Sequence, residues 1–272
     1  MEDLTLPGET RVAIAGDWHG QSTWVQVIIP RLAKQHPDVQ TILHVGDFGI
    51  WPGSSGKKFL NSVDYWVKQA QQSGSKLCRI IVTLGNHEDH GRLEARFASK
   101  PGELIKLSET VWVLPRPHRF TLNGVSFLSL GGAASVDYSA RREGHTWWPE
   151  ETVTDAQVDA AVSGGPADIM ITHETVNGGT PEVEQTLASN PMRWPLHALN
   201  YSAESRSRVT SVWNRVRPRA LFHGHMHIPA RATLPDGRTV VSLGRDGQKW
   251  NVGVLSLDGS DRFEMVMNRS GF

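Results

Sequence analysis

The sequence predicts an α/β protein with two β-sheets, and two observations support this fold class. In the first hundred residues, short apolar runs that end in glycine alternate with segments of helical spacing. After residue 100 the pattern changes to closely spaced short strands, which predicts that a second sheet begins there. The 272 residues include one cysteine, Cys78, so neither a disulfide framework nor a cysteine-rich zinc module stabilises the chain.

The first hundred residues contain three predicted strands and two predicted helices. The strands are the apolar runs at 11–16, 41–46 and 79–85. Apolar residues at helical spacing from Trp24 to Leu32 predict the first helix, and Pro30 is expected to kink or interrupt it. The second predicted helix covers residues 59–72. This alternation is typical of an α/β protein.

The rest of the chain is predicted to contain mainly short strands, with hairpin turns at Asn123-Gly124 and Asp236-Gly237. A capping box of Thr154 and Gln157 predicts a helix through residue 162, and another helix is predicted at 203–216. Two stretches without periodicity, 131–151 and 177–201, are predicted as long loops, which in a compact domain are more often functional than accidental. The predicted strands are 111–113, 119–122, 125–130, 168–172, 219–222, 239–243, 252–257 and 262–266.

Composition and charge exclude several classes of protein. With 28 basic and 28 acidic side chains the formal net charge is zero, which argues against a broad basic surface for nucleic acid. No apolar run approaches the ~18 residues that span a bilayer, and residues 1–10 lack the features of a signal peptide. We therefore expect one soluble, cytoplasmic domain over residues 1–272, with no membrane contact.

Polar residues follow the apolar strands at repeated positions, and the carboxyl ends of strands are where ligands bind in open α/β sheets. In extended backbone, residues two apart point to the same side, so each Asp-x-His or His-x-His pair can direct two donors at one point. These donors are carboxylate oxygens and imidazole nitrogens without thiolate, which suits Mn, Fe, Zn, Ni or Co. The residues are Asp17, His19, Asp47, Asn86, His87, His173, His225 and His227.

These residues carry a resemblance to the calcineurin-like metallophosphoesterases, whose signature is D-x-H, GD, GNH[DE], an isolated His and GHxH. The motifs here read GDWHG at 16–20, GD at 46–47, GNHE at 85–88, TH at 172–173 and GHMH at 224–227. All five occur in order. The resemblance implies a four-layer αββα sandwich, in which two mixed β-sheets are flanked by helices. The stretch 131–151 is similar to a loop in a bacterial and phage-associated branch of this family.

The resemblance also implies a centre of two divalent transition-metal ions, with manganese as the first expectation. One ion would be bound by Asp17, His19, Asp47 and His227, and the other by Asp47, Asn86, His173 and His225, so that Asp47 bridges. A hydroxide between the ions would attack phosphorus, and His87 would act as general acid for the leaving oxygen. Within the stretch 131–151, Asp137, Arg141 and Arg142 are candidate substrate contacts.

The resemblance points first to a phosphodiesterase for a small phosphate ester, with nucleotide and cyclic-nucleotide diesters among the candidates. A phosphomonoesterase comes second, a nuclease third, and a non-catalytic metal-binding scaffold last because His87 is retained. Protein phosphatase activity is disfavoured, since FGIWPG follows the GD motif where that branch has Asp-Arg. This departure also removes the usual carboxylate partner of His87. Five other histidines are assigned to surface or loop positions: His36, His90, His118, His145 and His197.

Overall fold

The computed structural model describes residues 1–260 and 262–266, so the predicted domain end at residue 272 lies outside the described residues. Two β-sheets of seven strands each pack face to face in this part of the chain. The strands are β1 (Glu2–Asp3), β2 (Arg11–Ala15), β3 (Thr41–His44), β4 (Arg79–Val82), β5 (Ile105–Lys106), β6 (Val111–Val113), β7 (His118–Leu122), β8 (Val125–Leu130), β9 (Ile169–Thr172), β10 (Ala220–His223), β11 (Ala230–Thr233), β12 (Thr239–Ser242), β13 (Val252–Ser256) and β14 (Phe263–Met265). The helices are α1 (Ser22–Gln35), α2 (Gly53–Gln72), α3 (His90–Ser99), α4 (Asp155–Ser163), α5 (Pro181–Ser189) and α6 (Leu196–Val216).

The first sheet has the strand order β14-β13-β2-β3-β4-β6-β5. Strands β2, β3, β4 and β6 run parallel, whereas β13 pairs antiparallel with β2. The prediction that residues 111–113 begin the second sheet is therefore wrong. These residues form β6 and extend the first sheet, because α3 provides the crossover from β4 that a parallel neighbour requires.

The second sheet has the strand order β1-β7-β8-β9-β10-β12-β11 and begins with the predicted hairpin of β7 and β8 around Asn123-Gly124. Strands β8, β9, β10 and β12 run parallel. Each sheet thus has a central parallel set, with antiparallel strands toward its edges. The carboxyl ends of the central strands are the places where loops gather.

Side-chain alternation along the strands builds three buried layers. In β2, Val12 and Ile14 point into the layer between the sheets, while Ala13 and Ala15 face α1 and α2. On the far side of the second sheet, Met170 of β9 packs in one cluster with residues of α4 and α6. The order is helix, sheet, sheet, helix, which confirms the predicted αββα sandwich.

Four helical details differ from the predictions. Helix α1 continues through Pro30 without interruption. Helix α3 was not predicted; it has only ten residues, and Asp89 caps its N-terminus by accepting the N–H of Arg92. The stretch 177–201 contains α5 and the first turns of α6, although it was predicted as a loop. Pro181 at the first position of α5 and the acidic residues of its first turn were the available signals.

Within the described residues, no helix has the length and apolar character needed to cross a bilayer.

Candidate metal centre

Each of the eight residues expected at the site lies just beyond the carboxyl end of a strand. Three of these strands, β2, β3 and β4, belong to the first sheet, and two, β9 and β10, belong to the second. The loops that follow them meet at one shared edge of the sandwich. The residues brought together there are Asp17, His19, Asp47, Asn86, His87, His173, His225 and His227.

One group of donors surrounds Asp17. Its Oδ2 lies 2.9 Å from Nε2 of His227 and 4.0 Å from Nε2 of His19. One potential ligand atom from each of these three residues lies within 4.8 Å of the others. Asp17 also accepts the backbone N–H of His225 at 3.1 Å, which ties the loop after β10 to the loop after β2. A carboxylate and two imidazoles at this spacing can bind one metal ion.

Asp47 lies between this group and a second one. Its Oδ2 is 3.6 Å from Nε2 of His19, whereas its Oδ1 is 3.3 Å from Nε2 of His173. Oδ1 of Asn86 is 3.0 Å from the same nitrogen of His173, and the rings of His173 and His225 have centroids 5.1 Å apart. The two carboxylate oxygens of Asp47 therefore face two different sets of donors, as a bridging ligand requires.

Sharp turns after the strands aim these side chains, and four of the residues have backbone φ angles between 44° and 63°, in the left-handed region. That region is unfavourable for residues with a Cβ, and such strain clusters at functional sites. Two neighbouring glycines leave space for the donors. A Cβ on Gly46 would lie 2.5 Å from Nδ1 of His173, and a Cβ on Gly224 would lie 2.0 Å from Oδ1 of Asp17. The four left-handed residues are His19, Asp47, His225 and His227.

The electrostatics of the site favour cations. Burial would lower the pKa of His19, but its hydrogen bond with Asp246 and the nearby Asp47 raise it to about 10. Asp47 and Asp17 likewise raise the pKa of the fully buried His173 to about 9 against the effect of burial. The carboxylates thus stabilise positive charge on two imidazoles where no metal is bound. Donors of this chemistry, within a negative potential, fit divalent transition metals.

Three residues that support the site were not found from the sequence. Asp246, in the loop after β12, lies 2.8 Å from Nδ1 of His19 and leaves Nε2 facing Asp17 and Asp47. Asn251 accepts from the indole N–H of Trp18 and donates to the backbone carbonyl of Asp17. Neither residue lies in a recognisable motif, and each is more than 200 positions from its partner, so no spacing signal marks them.

Glu88, the last residue of the GNHE motif, is the third supporting residue. It is fully buried, and its carboxylate accepts backbone N–H groups of Phe48, Gly49 and Gly85 at 2.7–3.3 Å. It thereby joins the loop after β3 to the loop after β4, which carry Asp47 and Asn86. Burial raises the pKa of Glu88 to about 7. Its place in the motif was the signal available in the sequence.

His87 lies beside the donors, with Nε2 3.9 Å from Oδ2 of Asp47. Arg141 Nη1 lies 2.9 Å from His87 Nδ1, and Asp137 accepts from Arg141 Nε at 2.7 Å. Nη2 of Arg141 also lies 3.3 Å from Nε2 of His87. Because a neutral imidazole has one acceptor nitrogen, only one of these two contacts can be a hydrogen bond to the ring. Burial, reinforced by Arg141, lowers the pKa of His87 although Asp47 opposes this.

Of the three candidate substrate contacts in the stretch 131–151, the structure brings two to the site. Asp137 and Arg141 form a chain that ends at His87, and both line the cleft beside it. Arg142 is exposed and is not among the residues that line this cleft or the smaller cavity on the side of His19. The family's usual carboxylate partner of His87 is absent from the motif, and in this structure His87 instead contacts Arg141, which is held by Asp137.

Two cavities meet at His87 and Arg141. The larger, of about 520 Å³, extends toward α5 and α6 and includes Leu187, Met192, Trp194 and Leu199 in its wall. The smaller, of about 310 Å³, lies on the side of His19 and is lined by Trp51, His145 and Trp148 among others. The two stretches predicted as long loops, 131–151 and 177–201, both contribute to the larger cavity.

The assignment of His90 and His118 to surface or loop positions is wrong, since both are buried. His90 begins α3, and its Nε2 donates to the carbonyl of Gly85 at 2.9 Å. Its Nδ1 has no hydrogen-bond partner among the described residues. Burial, together with the charge of Arg116, lowers the pKa of His90 to about 3.

The buried His90 predicts a loss of stability in mild acid. An unfolded histidine takes up a proton below pH 6.5, whereas folded His90 stays neutral to about pH 3, so stability falls as pH falls through this window. Between pH 7 and pH 5 we expect the metal-free wild type to lose about 2 kcal/mol more unfolding free energy than His90→Gln. Urea unfolding at both pH values measures this difference. The exposed His197→Gln is the control, and equal losses in wild type and His90→Gln would contradict the prediction.

Comparisons with known proteins identify relatives at the level of family and fold. The family model for calcineurin-like phosphoesterases matches residues 10–229. A comparison with curated protein sequences finds no match. Among solved structures, the protein TT1561 of Thermus thermophilus is similar with a TM-score of 0.56 and 12% identity, over 95% of this chain and 100% of that one. A dimetal phosphatase from Danio rerio is similar with a TM-score of 0.56 and 10% identity, over 94% and 96% of the two chains. At these identities the structural similarity shows the fold alone.

Proposed function

Because the chain belongs to the calcineurin-like phosphoesterase family, we propose that it is a phosphodiesterase that uses two divalent metal ions. The observation that carries this proposal is the position of Asp47, whose two oxygens face two separate sets of donors. The Danio rerio protein of the same fold is described as a dimetal phosphatase, which supports a two-metal centre here. Manganese is our first choice of metal, since the donors combine oxygen and nitrogen without sulfur.

The residues that would hold the ions are those gathered at the strand ends. Asp17, His19, Asp47 and His227 would bind one ion, and Asp47, Asn86, His173 and His225 would bind the other. When bound, the pair of ions would supply positive charge and Lewis acidity at the phosphoryl group. The chain's own role is to fix the donors in place, through Asp246 on His19 and through Glu88 on the loops that carry Asp47 and Asn86.

His87 and Arg141 would act on the substrate itself. Arg141 lines both cavities, and its guanidinium would donate N–H groups to a phosphate oxygen bound there. An anionic phosphate beside His87 would favour the protonated imidazole, because an opposite charge within about 4–6 Å favours the charged form. The protonated His87 can then give a proton to the leaving oxygen.

The two cavities support a diester over a monoester. A phosphodiester carries two organic groups that leave phosphorus in different directions, and the cavities extend from His87 and Arg141 toward different elements. The smaller cavity is lined by Trp51 and Trp148, and aromatic side chains in its wall suit a planar ring such as a nucleobase. One observation favours a monoester instead: Arg141 adds a positive charge that would suit a phosphate dianion.

Hydrolysis of two nitrophenyl esters by the manganese-reconstituted protein tests the proposal. We expect kcat/KM for bis-p-nitrophenyl phosphate to exceed that for p-nitrophenyl phosphate by about tenfold or more, equivalent to about 1.4 kcal/mol of transition-state stabilisation. Metal analysis of the same sample should find two ions per chain.

The outcomes separate the parts of the proposal. Preference for the monoester would overturn the diesterase assignment and leave a phosphomonoesterase. Absence of turnover with either ester, in protein shown to hold two ions, would overturn the enzymatic function altogether. A panel of nucleotide diesters, measured in the same way, then identifies the organic groups that the two cavities accept.

A further inference from the structure

Glu151 is a buried carboxylate that the proposed reaction does not use. It ends the stretch 131–151, and its side chain is fully enclosed. Three donors converge on it: the Ser135 backbone N–H and the Tyr201 hydroxyl reach Oε1 at 2.7 and 3.0 Å, and the Ser135 hydroxyl reaches Oε2 at 2.6 Å. Burial raises the pKa of Glu151 to about 7, while these three hydrogen bonds favour the ionised carboxylate, which is the form present above that pH.

Ser135 links this carboxylate to Asn86. The Ser135 hydroxyl oxygen accepts a hydrogen bond from Nδ2 of Asn86 at 2.9 Å while its own proton goes to Glu151. Oδ1 of Asn86 points the other way, toward His173. A continuous chain of hydrogen bonds therefore runs from Glu151 through Ser135 to the amide that faces the metal centre.

The direction of the protons in this chain decides which atom Asn86 presents. An ionised carboxylate only accepts, so Glu151 takes the single proton of the Ser135 hydroxyl. Ser135 is then left as an acceptor, and Asn86 must turn its NH2 group toward it. We propose that Glu151 is a positioning residue that fixes the Asn86 amide, through Ser135, with its oxygen toward the second metal ion. The inference rests on the proposed two-metal function.

Other contacts hold Glu151 itself in place. The Arg116 side chain is buried and donates to the backbone carbonyls of Glu150 and Glu151, and it pairs with Glu94 of α3. Tyr201 belongs to α6, so the carboxylate is also tied to the helix that lines the larger cavity. Both stretches predicted as long loops thus support the Asn86 amide. The stretch 131–151 does so through Ser135 and Glu151, and the stretch 177–201 does so through Tyr201.

Metal titration of matched variants tests the inference. Manganese affinity is measured at pH 8, above the pKa of about 7 to which burial raises Glu151, so that the carboxylate is ionised. We expect Glu151→Leu to weaken one of the two sites by about 10- to 100-fold, as is typical when a residue supporting a metal ligand is lost. Glu150→Leu changes an exposed neighbouring acid and should bind both ions as the wild type does. Ser135→Ala is a smaller change that should weaken the same site.

An Asn86→Asp background separates positioning from general structural support. A carboxylate has an oxygen at both positions, so its orientation no longer matters, and Glu151→Leu should then cost less than about threefold in affinity. An equal loss in both backgrounds, or unchanged binding in Glu151→Leu and Ser135→Ala, would overturn the inference. Wild-type protein that binds fewer than two ions would instead overturn the two-metal proposal.

Discussion

Replacing Asp47 with alanine is expected to remove both metal ions and to lower kcat/KM by about a thousandfold or more. The carboxylate is buried, and its two oxygens face His19 on one side and His173 on the other. Without it both sets of donors lose a shared negative charge. Single electrostatic contacts to a transition state are worth about 10²–10³ in rate, and the loss of both ions removes several of them. Metal analysis and diester hydrolysis on the same preparation measure the two effects.

Two further variants make the Asp47 result specific. Asp47 has a φ of 50°, which asparagine tolerates better than alanine, so Asp47→Asn keeps the backbone while it removes the charge. We expect Asp47→Asn to lose both ions as well. His227→Ala removes a donor from the Asp17 group alone and should mainly weaken one ion. Two tightly bound ions in Asp47→Ala would contradict the bridging role.

Replacing His87 with alanine is expected to lower kcat by about 10²–10⁴ while two ions remain bound, since this is the usual contribution of a general acid. His87 lies 3.9 Å from Asp47 and is held by Arg141, yet it is not among the proposed ligands. The measurement is steady-state kinetics with metal analysis. His36→Ala changes a histidine of α1's C-terminal cap and serves as the control.

The leaving group distinguishes general acid catalysis from a loss of binding. A p-nitrophenolate ion leaves without a proton, whereas an alkoxide needs one. The loss of kcat in His87→Ala should therefore be larger for an alkyl ester than for a p-nitrophenyl ester. Equal losses for both esters would contradict the proton-donor role and would leave His87 as a substrate contact.

The sequence was most informative where a short motif directly follows a predicted strand, because the position of the strand then gives the position of the motif's side chains. The donors after β2, β3, β4, β9 and β10 were predicted together because each follows an apolar run, and the order of the motifs implied both the sandwich and the grouping of these donors. The capping box at Thr154 was also confirmed. These features depend on local spacing, which the sequence contains directly.

Other features could not be predicted, because they depend on pairing between distant parts of the chain. Asp246 and Asn251 reach residues near the N-terminus, and their own neighbours carry no motif. Glu151 was identified only as part of a long loop, since its importance lies in contacts with Ser135 and Tyr201. His90 was misassigned because burial at the start of a short helix leaves no periodic signal.

The pairing of β13 with β2 has a consequence for the order of events during synthesis. The ribosome completes β2 at Ala15, but its antiparallel neighbour starts at Val252. At typical rates of 5–20 residues per second, this interval takes roughly 10 to 50 s. Once His227 has been synthesised, the nascent chain carries all of the proposed ligands, but β2 still has an open edge and Asp246, which orients His19, has not yet been added. The proposed metal centre can therefore be completed only after Asp246 and β13 have been synthesised, so we expect metal loading to follow the synthesis of both segments.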